Sequence, residues 1–458
     1  MEKVKKLGFF SKKDVDMTEG NIFNHILVFA LPLLVGNLFQ QFYNTVDTWV
    51  IGNYVENDAA YAAVGSVGPI INMIIGLFVG FSSGAGVVIS QNYGAKRFDK
   101  VDKAVHTSAC ITLIMGVLFS VVGIILIPYM LNMMNTPENV FSEAKTYLTI
   151  YFSGIIGLMI YNIGSGILRA VGDSTRPFLF LVVSALLNVV LDLLFVIKFK
   201  MGVAGVAYAT IIAQGVSALL VILTLLTTNN CVKLITGHLK IDKDSLGKIV
   251  KVGFPAAIQL SITAFSNIFV QSYINQFGEH CMSGWTSYAK IDQFMFLPMQ
   301  SLAIAATTFV GQNLGCGNVD RAKKGIKTTI SMAVVSTVAI MIPILIFPKP
   351  LVSFFNQNPE VIRYGAMLLL WISPFYVLCC FNQILAGALR GAGNSRAPMI
   401  IMLTSFVAFR QVYMFVMSNF ICNDIIPIAM GYPAGWLLSS LLSFWYYKKV
   451  DLRKKVVI

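Results

Sequence analysis

Twelve stretches of predominantly apolar residues, each about 20 long, run through this chain. Their approximate limits are 25–52, 60–90, 104–128, 146–168, 177–198, 203–228, 250–276, 284–311, 326–348, 364–388, 398–420 and 425–447. Coiled as an α-helix, a run of that length crosses the hydrocarbon layer of a bilayer. Within that layer every backbone N–H and C=O needs a partner inside the span, so only helices or a closed barrel are admissible, and runs this long read as helices. Composition agrees: 56% of residues are hydrophobic, 12% are charged and mean hydropathy is +0.74, a balance foreign to soluble domains. The fold class is therefore an all-α polytopic membrane protein.

The formal net charge of +13 does not point to nucleic acid, because the basic residues are not gathered with aromatics in a soluble module. They punctuate the apolar runs instead. Lys3, Lys5, Lys6, Lys12 and Lys13 precede the first run; Lys96, Arg97, Lys100 and Lys103 follow the second. Lys233, Lys240, Lys243, Lys248 and Lys251, then Arg321, Lys323, Lys324 and Lys327, then Lys448, Lys449, Arg453, Lys454 and Lys455 fall on the same face. The positive-inside rule makes that face cytoplasmic, with both termini on it. The opposite loops hold Lys145, Lys198, Lys200, Lys349 and Arg363, together with Glu56, Asp58, Glu138, Glu143 and Glu279. The expected location is the cell membrane. The first run shows no small-residue cleavage site and reads as a retained helix. Seven cysteines without CxxC spacing suggest packing rather than a disulfide framework, and His25, His106, His238 and His280 fall at span ends or in loops.

The chain contains itself twice. Gln91-Asn92-Tyr93-Gly94 with Asp99 and Lys103 returns as Gln312-Asn313-Leu314-Gly315 with Asp320 and Lys324, an offset of 221 positions (from 91 to 312). Leu168-Arg169, Gly172, Ser174 and Pro177 return as Leu389-Arg390, Gly393, Ser395 and Pro398 at the same offset, and Pro32 is answered by Pro255 with a shift of two. Each half holds six spans. Six is even, so both halves enter the membrane in the same orientation, as two six-helix bundles related by a pseudo-two-fold axis along the membrane normal. The expected organisation is a cytoplasmic tail 1–24, an N-lobe 25–228, a cytoplasmic linker 229–249, a C-lobe 250–447 and a cytoplasmic tail 448–458. Alternating access by rocking of the halves is one use of such a plan; a static bundle is the other.

Against this background two carboxylates stand out, Asp47 in the first span and Asp192 in the fifth. An ionisable group at bilayer depth costs about 2.5–3.5 kcal/mol on insertion scales and ordinarily lines a bundle interior or aqueous cavity. The repeat supplies an internal control, since Asp47 corresponds to Val270 and Asp192 to Tyr413. The second half folds without either carboxylate. Asn188 lies four residues before Asp192 on the same helix face, and Thr210 in the sixth span adds a hydroxyl amid small residues. Such oxygens suit a hard cation or a relayed proton; the alternative is that Asn188 and Thr210 merely hydrogen-bond between helices. Lys290 and Asp292, two apart, cannot face each other on a helix, and Arg410 has Val189 as its repeat counterpart; these charges read as cavity wall or as internal ion pairs. Pro32 reads as a hinge or as static curvature.

These features resemble the multidrug and toxic compound extrusion (MATE) transporters. The resemblance rests on Leu31-Pro32 with Tyr43 and Asp47, the Gln-Asn-x-Gly elements at 91 and 312, Leu-Arg-x-x-Gly at 168 and 389, and Asn188-x-x-x-Asp192, and it covers about residues 20 to 447. It implies that Asp47, Asn188, Asp192 and Thr210 form an N-lobe site for Na+ or H+ coupling, with Pro32 as the bend proline. The NorM-type branch places acids on helices 7 and 10, where this chain has Thr263 and Cys379, so the chain looks more like the DinF-type bacterial branch.

The function expected is a secondary antiporter, exporting amphipathic, cationic or aromatic compounds in exchange for Na+ or H+. Tyr43, Tyr161, Phe265, Met295 and Met299 are candidates for a permissive substrate cavity. The expected partners are small molecules and membrane lipid, with no nucleic acid, no cofactor beyond the coupling ion and a monomeric state. No GxxxxGK[ST] element supports an ATP-driven pump, and no HExxH supports an intramembrane enzyme. A flippase for lipid-linked precursors, sharing the two-bundle plan, is the alternative. It calls for several cavity cations to meet phosphates, for which only Lys290 and Arg410 are candidates.

Overall fold

The computed structural model describes residues 16–55, 63–64, 67–134 and 136–458. Eleven helices among them are long and apolar enough to cross a membrane, and a pair bent by 48°, Val140–Ser153 with Ile155–Ala170, supplies a twelfth span. In the first half these are α1 Ile22–Tyr54, α2 Gly68–Gly94, α3 Phe98–Met133, the pair α4 Glu138–Ser153 and α5 Ile155–Ala170, α6 Thr175–Asp192 and α7 Gly202–Thr227. The second half holds α8 Lys243–Asn275, α9 Glu279–Gly315, α10 Val319–Ile346, the short α11 Pro348–Ser353, α12 Pro359–Ile372, α13 Tyr376–Gly391, α14 Arg396–Met402, α15 Arg410–Val416, α16 Ile425–Ala429 and α17 Gly431–Lys449. Helices outrun the apolar stretches that mark them: α3 begins at 98 rather than 104, and α8 at 243 rather than 250. Hydropathy detects the lipid crossing, whereas a helix continues through a polar turn as long as its backbone bonds continue.

Two compact units emerge, Leu31–Phe254 and the combination of Met17–Ala30 with Pro255–Val457. The expected lobes are drawn at span limits, whereas the units change over within α1 and α8, beside the repeat-related Pro32 and Pro255. In the first unit α2 packs on α3 and α5, and α7 on α4, α5 and α6. In the second, α9 packs on α10, α12 and α13, and α13 on α10 and α17.

The repeat motifs are helix terminators. Gly172 (φ 94°) and Gly393 (φ 92°) are left-handed residues 221 positions apart, as are Lys96 (φ 56°) and Gly317 (φ 81°). Each is followed by an N–H that reaches five residues back: Asp173 to Leu168 O (3.0 Å), Asn394 to Leu389 O (2.9 Å), Arg97 to Asn92 O (3.0 Å) and Asn318 to Asn313 O (2.8 Å). These are Schellman caps, which satisfy carbonyls left over at a helix end. Close helix crossings repeat as well. A Cβ on Gly166 would lie 2.4 Å from Ser82 Oγ, and one on the equivalent Gly387 would lie 2.5 Å from Ala303 O. Small residues here let α5 approach α2 and let α13 approach α9.

Outward faces are apolar. On α3, Val117, Val121 and Ile125 are 59%, 53% and 61% exposed, four residues apart along one stripe; on α10, Val335 and Ile342 are likewise exposed. In water such stripes would drive association, but hydrocarbon solvates them. The chain is a multi-pass membrane protein.

Candidate functional site

Asp47 lies one turn after Tyr43 on α1, so the two side chains share a helix face. Asp192 closes α6 at the point where the helix widens into a π-helical turn, Leu193–Lys198, a distortion that often accompanies functional sites. Gly205 on α7 leaves room for that turn, since a Cβ there would stand 3.1 Å from Phe195 Cβ. Ser184 Oγ donates to Ala213 O at 2.8 Å and fixes α6 on α7.

Asp47, Asn188, Asp192 and Thr210 are all buried within the first unit. The Asp47 and Asp192 carboxyls come within electrostatic reach of each other. Asp47 Oδ1, both Asp192 oxygens and both polar atoms of the Asn188 amide find no hydrogen-bond partner outside the acid pair itself. Buried polar atoms are nearly always paired, and two adjoining carboxylates are unstable unless a positive charge, proton or cation, joins them. The reading of Asn188 as an interhelical hydrogen-bonder therefore finds no partner to support it. Thr210 is bonded within its own helix, Oγ1 donating to Val206 O at 2.9 Å. Its oxygen keeps acceptor capacity, but no hydrogen bond ties it to Asn188 or Asp192.

Aromatic residues surround this acidic pair. Tyr43 and Tyr147 lie within reach of the Asp47 charge, and Tyr151 neighbours both Tyr43 and Tyr147. Tyr147 and Tyr151 stack with ring centroids 6.2 Å apart, and Tyr151 pairs with Gln214 on α7. Tyr147, Tyr151 and Gln214 did not stand out in the sequence. Their only cue was the i, i+4 spacing of two tyrosines on an otherwise ordinary fourth span. Tyr161 hydrogen-bonds through its hydroxyl to Pro177 O at 3.1 Å and flanks the tyrosine cluster.

The other cavity candidates belong to the second unit. Met295 and Met299 on α9 are fully buried and pack in that unit's core, and the Phe265 side chain lies outside the described residues. Thr263 Oγ1 donates to Gln259 O at 2.6 Å within α8, and Cys379 is a buried free thiol.

The second unit has an acid of its own. Asp292 accepts hydrogen bonds from Tyr288 (3.3 Å) and, more closely, from Tyr376. Trp285, Phe296, Tyr432 and Trp436 extend this into an aromatic cluster with centroid separations of 5.1 to 6.3 Å. Arg410, buried, donates from Nη2 to Ser266 Oγ and Asn267 Oδ1, both at 2.9 Å, and stacks 4.6 Å from the Tyr432 ring. No acid among the described residues pairs with it, which corrects the ion-pair reading: neutral acceptors and a ring face hold the guanidinium. Lys290 and Asp292 indeed take separate partners, the former lying 5.6 Å from the Phe355 ring centroid.

Comparison with known proteins meets this geometry. The MatE family model matches residues 32–194 and again 255–416, one copy for each half. The "Probable multidrug resistance protein YpnP" of Bacillus subtilis is 31% identical over 438 residues, covering 95% of this chain and 97% of that protein. The "Probable multidrug resistance protein YoeA" of the same organism is 28% identical over 443 residues, covering 95% and 96%. A crystal structure of MATE in complex with MaL6 superposes with a TM-score of 0.91 at 23% identity, covering 97% of this chain and 100% of that one.

Proposed function

The chain belongs to the MatE family, and from that membership we propose that it is a multidrug efflux transporter working as a secondary antiporter. Its substrates are amphipathic cations or aromatic compounds, and the exchanged ion, Na+ or H+, enters at Asp47, Asn188 and Asp192 with Thr210 as an accessory oxygen. The observation that carries this reading is the set of buried atoms on Asp47, Asn188 and Asp192 that find no partner outside the acid pair. Carboxylate and amide oxygens are the donors a hard monovalent cation prefers, and a proton would satisfy the carboxyl pair equally. Tyr43 and Tyr147 border the same acids and, with Tyr151 beside them, offer ring faces to an organic cation. Ion and substrate then compete for one negative locus. Exchange follows if each stabilises a different conformation.

Both termini lie on the cytoplasmic side of the cell membrane in this reading, as the lysine distribution directs. The flippase alternative loses ground because Arg410 and Lys290, its candidate phosphate ligands, are engaged by Ser266, Asn267, Tyr432 and Phe355. The test is efflux of a fluorescent aromatic cation from proteoliposomes under an imposed Na+ gradient, an imposed pH gradient, or neither. Efflux driven by one of the gradients supports antiport; efflux indifferent to both overturns it.

A further inference from the structure

Away from the membrane-embedded acids, the first unit gathers the only group of three or more His, Cys, Asp or Glu side chains among the described residues whose ligand atoms all lie within 4.8 Å of one another: Asp102, His106 and His238. Asp102 and His106 are four apart on the first turns of α3, hence on one face. His238 ends the short 3-10 turn Thr236–His238 in the segment between the two repeats. His106 Nδ1 stands 3.3 Å from Asp102 Oδ1, and His238 Nδ1 stands 3.7 Å from Asp102 Oδ2. The two imidazoles are tilted by 56° to one another with centroids 5.7 Å apart. Four ligands at about 2.0–2.1 Å around a tetrahedral zinc are separated by about 3.3 Å. The carboxylate-to-imidazole spacings found here are already close to that edge.

The surroundings supply what a metal-bound histidine needs. His106 is buried, and its Nε2 lies 3.1 Å from Ile235 O and 2.9 Å from Ile235 N. One proton placement fits the metal-free ring. With the proton on Nδ1, the ring donates to Asp102 O (2.8 Å) and accepts from the Ile235 N–H. The other placement, on Nε2, requires a cation to take Nδ1 from the Asp102 carbonyl and the Ile235 N–H to give up its acceptor; the ring then donates to the Ile235 carbonyl and the Nδ1 lone pair goes to the metal beside the carboxylate and His238. The second is the arrangement of a metal-ligating imidazole, whose far N–H is held by a backbone carbonyl. His238, its side chain 58% exposed, keeps the approach to the group open, and water can fill a fourth position. Two imidazoles and a carboxylate select first-row divalent cations over Na+, Mg2+ or Ca2+, which favour oxygen alone.

We propose that Asp102, His106 and His238 form a binding site for a divalent first-row transition cation, of which Zn2+ is the natural probe, tying the segment between the repeats to α3. That segment is already laid along α3 by the Asp242 N–H, which donates to Thr107 Oγ1 at 3.0 Å. A cation bound by residues of both elements would fasten it further. The site has no part in the transport reading, and its test reads metal binding alone.

The experiment is titration of the purified, tag-free protein in detergent with Zn2+, followed calorimetrically, and with Co2+, followed by visible absorption. Wild type is compared with His238→Asn, a change at an exposed side chain that leaves the fold alone, and with His280→Asn as a control histidine. The account expects one Zn2+ per chain, affinity lower by at least tenfold in His238→Asn and unchanged in His280→Asn, and a tetrahedral Co2+ spectrum lost only in the former. Absence of saturable binding in wild type overturns the proposal. So does equal affinity in His238→Asn.

Discussion

Asp47 and Asp192 are unusual less for being buried than for being buried beside each other with atoms left over. Their repeat counterparts Val270 and Tyr413 need no such provision. The sequence made both acids legible because a carboxylate in an apolar run is conspicuous, and it placed Asn188 on the Asp192 face by spacing alone. The tyrosines around them stayed hidden, since an aromatic at 12% abundance in a membrane chain carries no signal until its neighbours are known. Asp292 shows the contrast. It is an acid of the second half only, opposite Ile71 in the repeat, yet its carboxylate is hydrogen-bonded by Tyr288 and Tyr376 rather than left open. Replacing Tyr376 with Phe removes a donor from a buried carboxylate, a loss that costs about 1–3 kcal/mol. A lower thermal midpoint of Y376F in detergent is the expected outcome, and an unchanged midpoint would remove the structural role assigned to this hydroxyl.

At the scale of the element, the recurrent motifs acquire a physical meaning that spacing could not supply. Leu-Arg-x-x-Gly and Gln-Asn-x-Gly lead into Schellman caps, so the repeats are held by turns where chain direction is decided. Helix crossings depend on residues that pattern reading passes over. A Cβ on Gly391 would sit 2.3 Å from Thr307 O, a backbone atom that cannot swing aside. Gly391→Ala is therefore expected to destabilise by about 1–3 kcal/mol, while Gly247→Ala, with nothing within 4 Å, is neutral or slightly favourable in a thermal unfolding comparison. The start of α8 makes a pH-dependent case. Asp242 accepts from the Ser245 N–H (2.8 Å) and hydroxyl (2.7 Å), and these donors hold its carboxyl below the usual aspartate range. A depressed folded pKa contributes stability above the unfolded value, about 3.9, and loses it as the pH falls through the folded one. Asp242→Ala should cost about 1 kcal/mol of cap stability at neutral pH, and the difference from wild type should shrink in acid. A difference that grew in acid would contradict the capping role.

For the whole molecule, run length and the internal repeat carried the fold class, because a bilayer leaves the backbone so few solutions. The places where the compact units change over were not legible. They fall inside α1 and α8, beside Pro32 and Pro255, and no composition shift marks them. The twofold MatE match follows the same internal repeat. What the repeat does not share is the pair of acids, and the central claim is that this asymmetry couples ion entry to export. Its most direct test measures gradient-driven efflux of an aromatic cation from proteoliposomes holding wild type, Asp47→Asn or Asp192→Asn, each checked for monodisperse folded protein. The account predicts that both variants insert and fold but lose efflux under either gradient. Full gradient-driven efflux in both variants would contradict it.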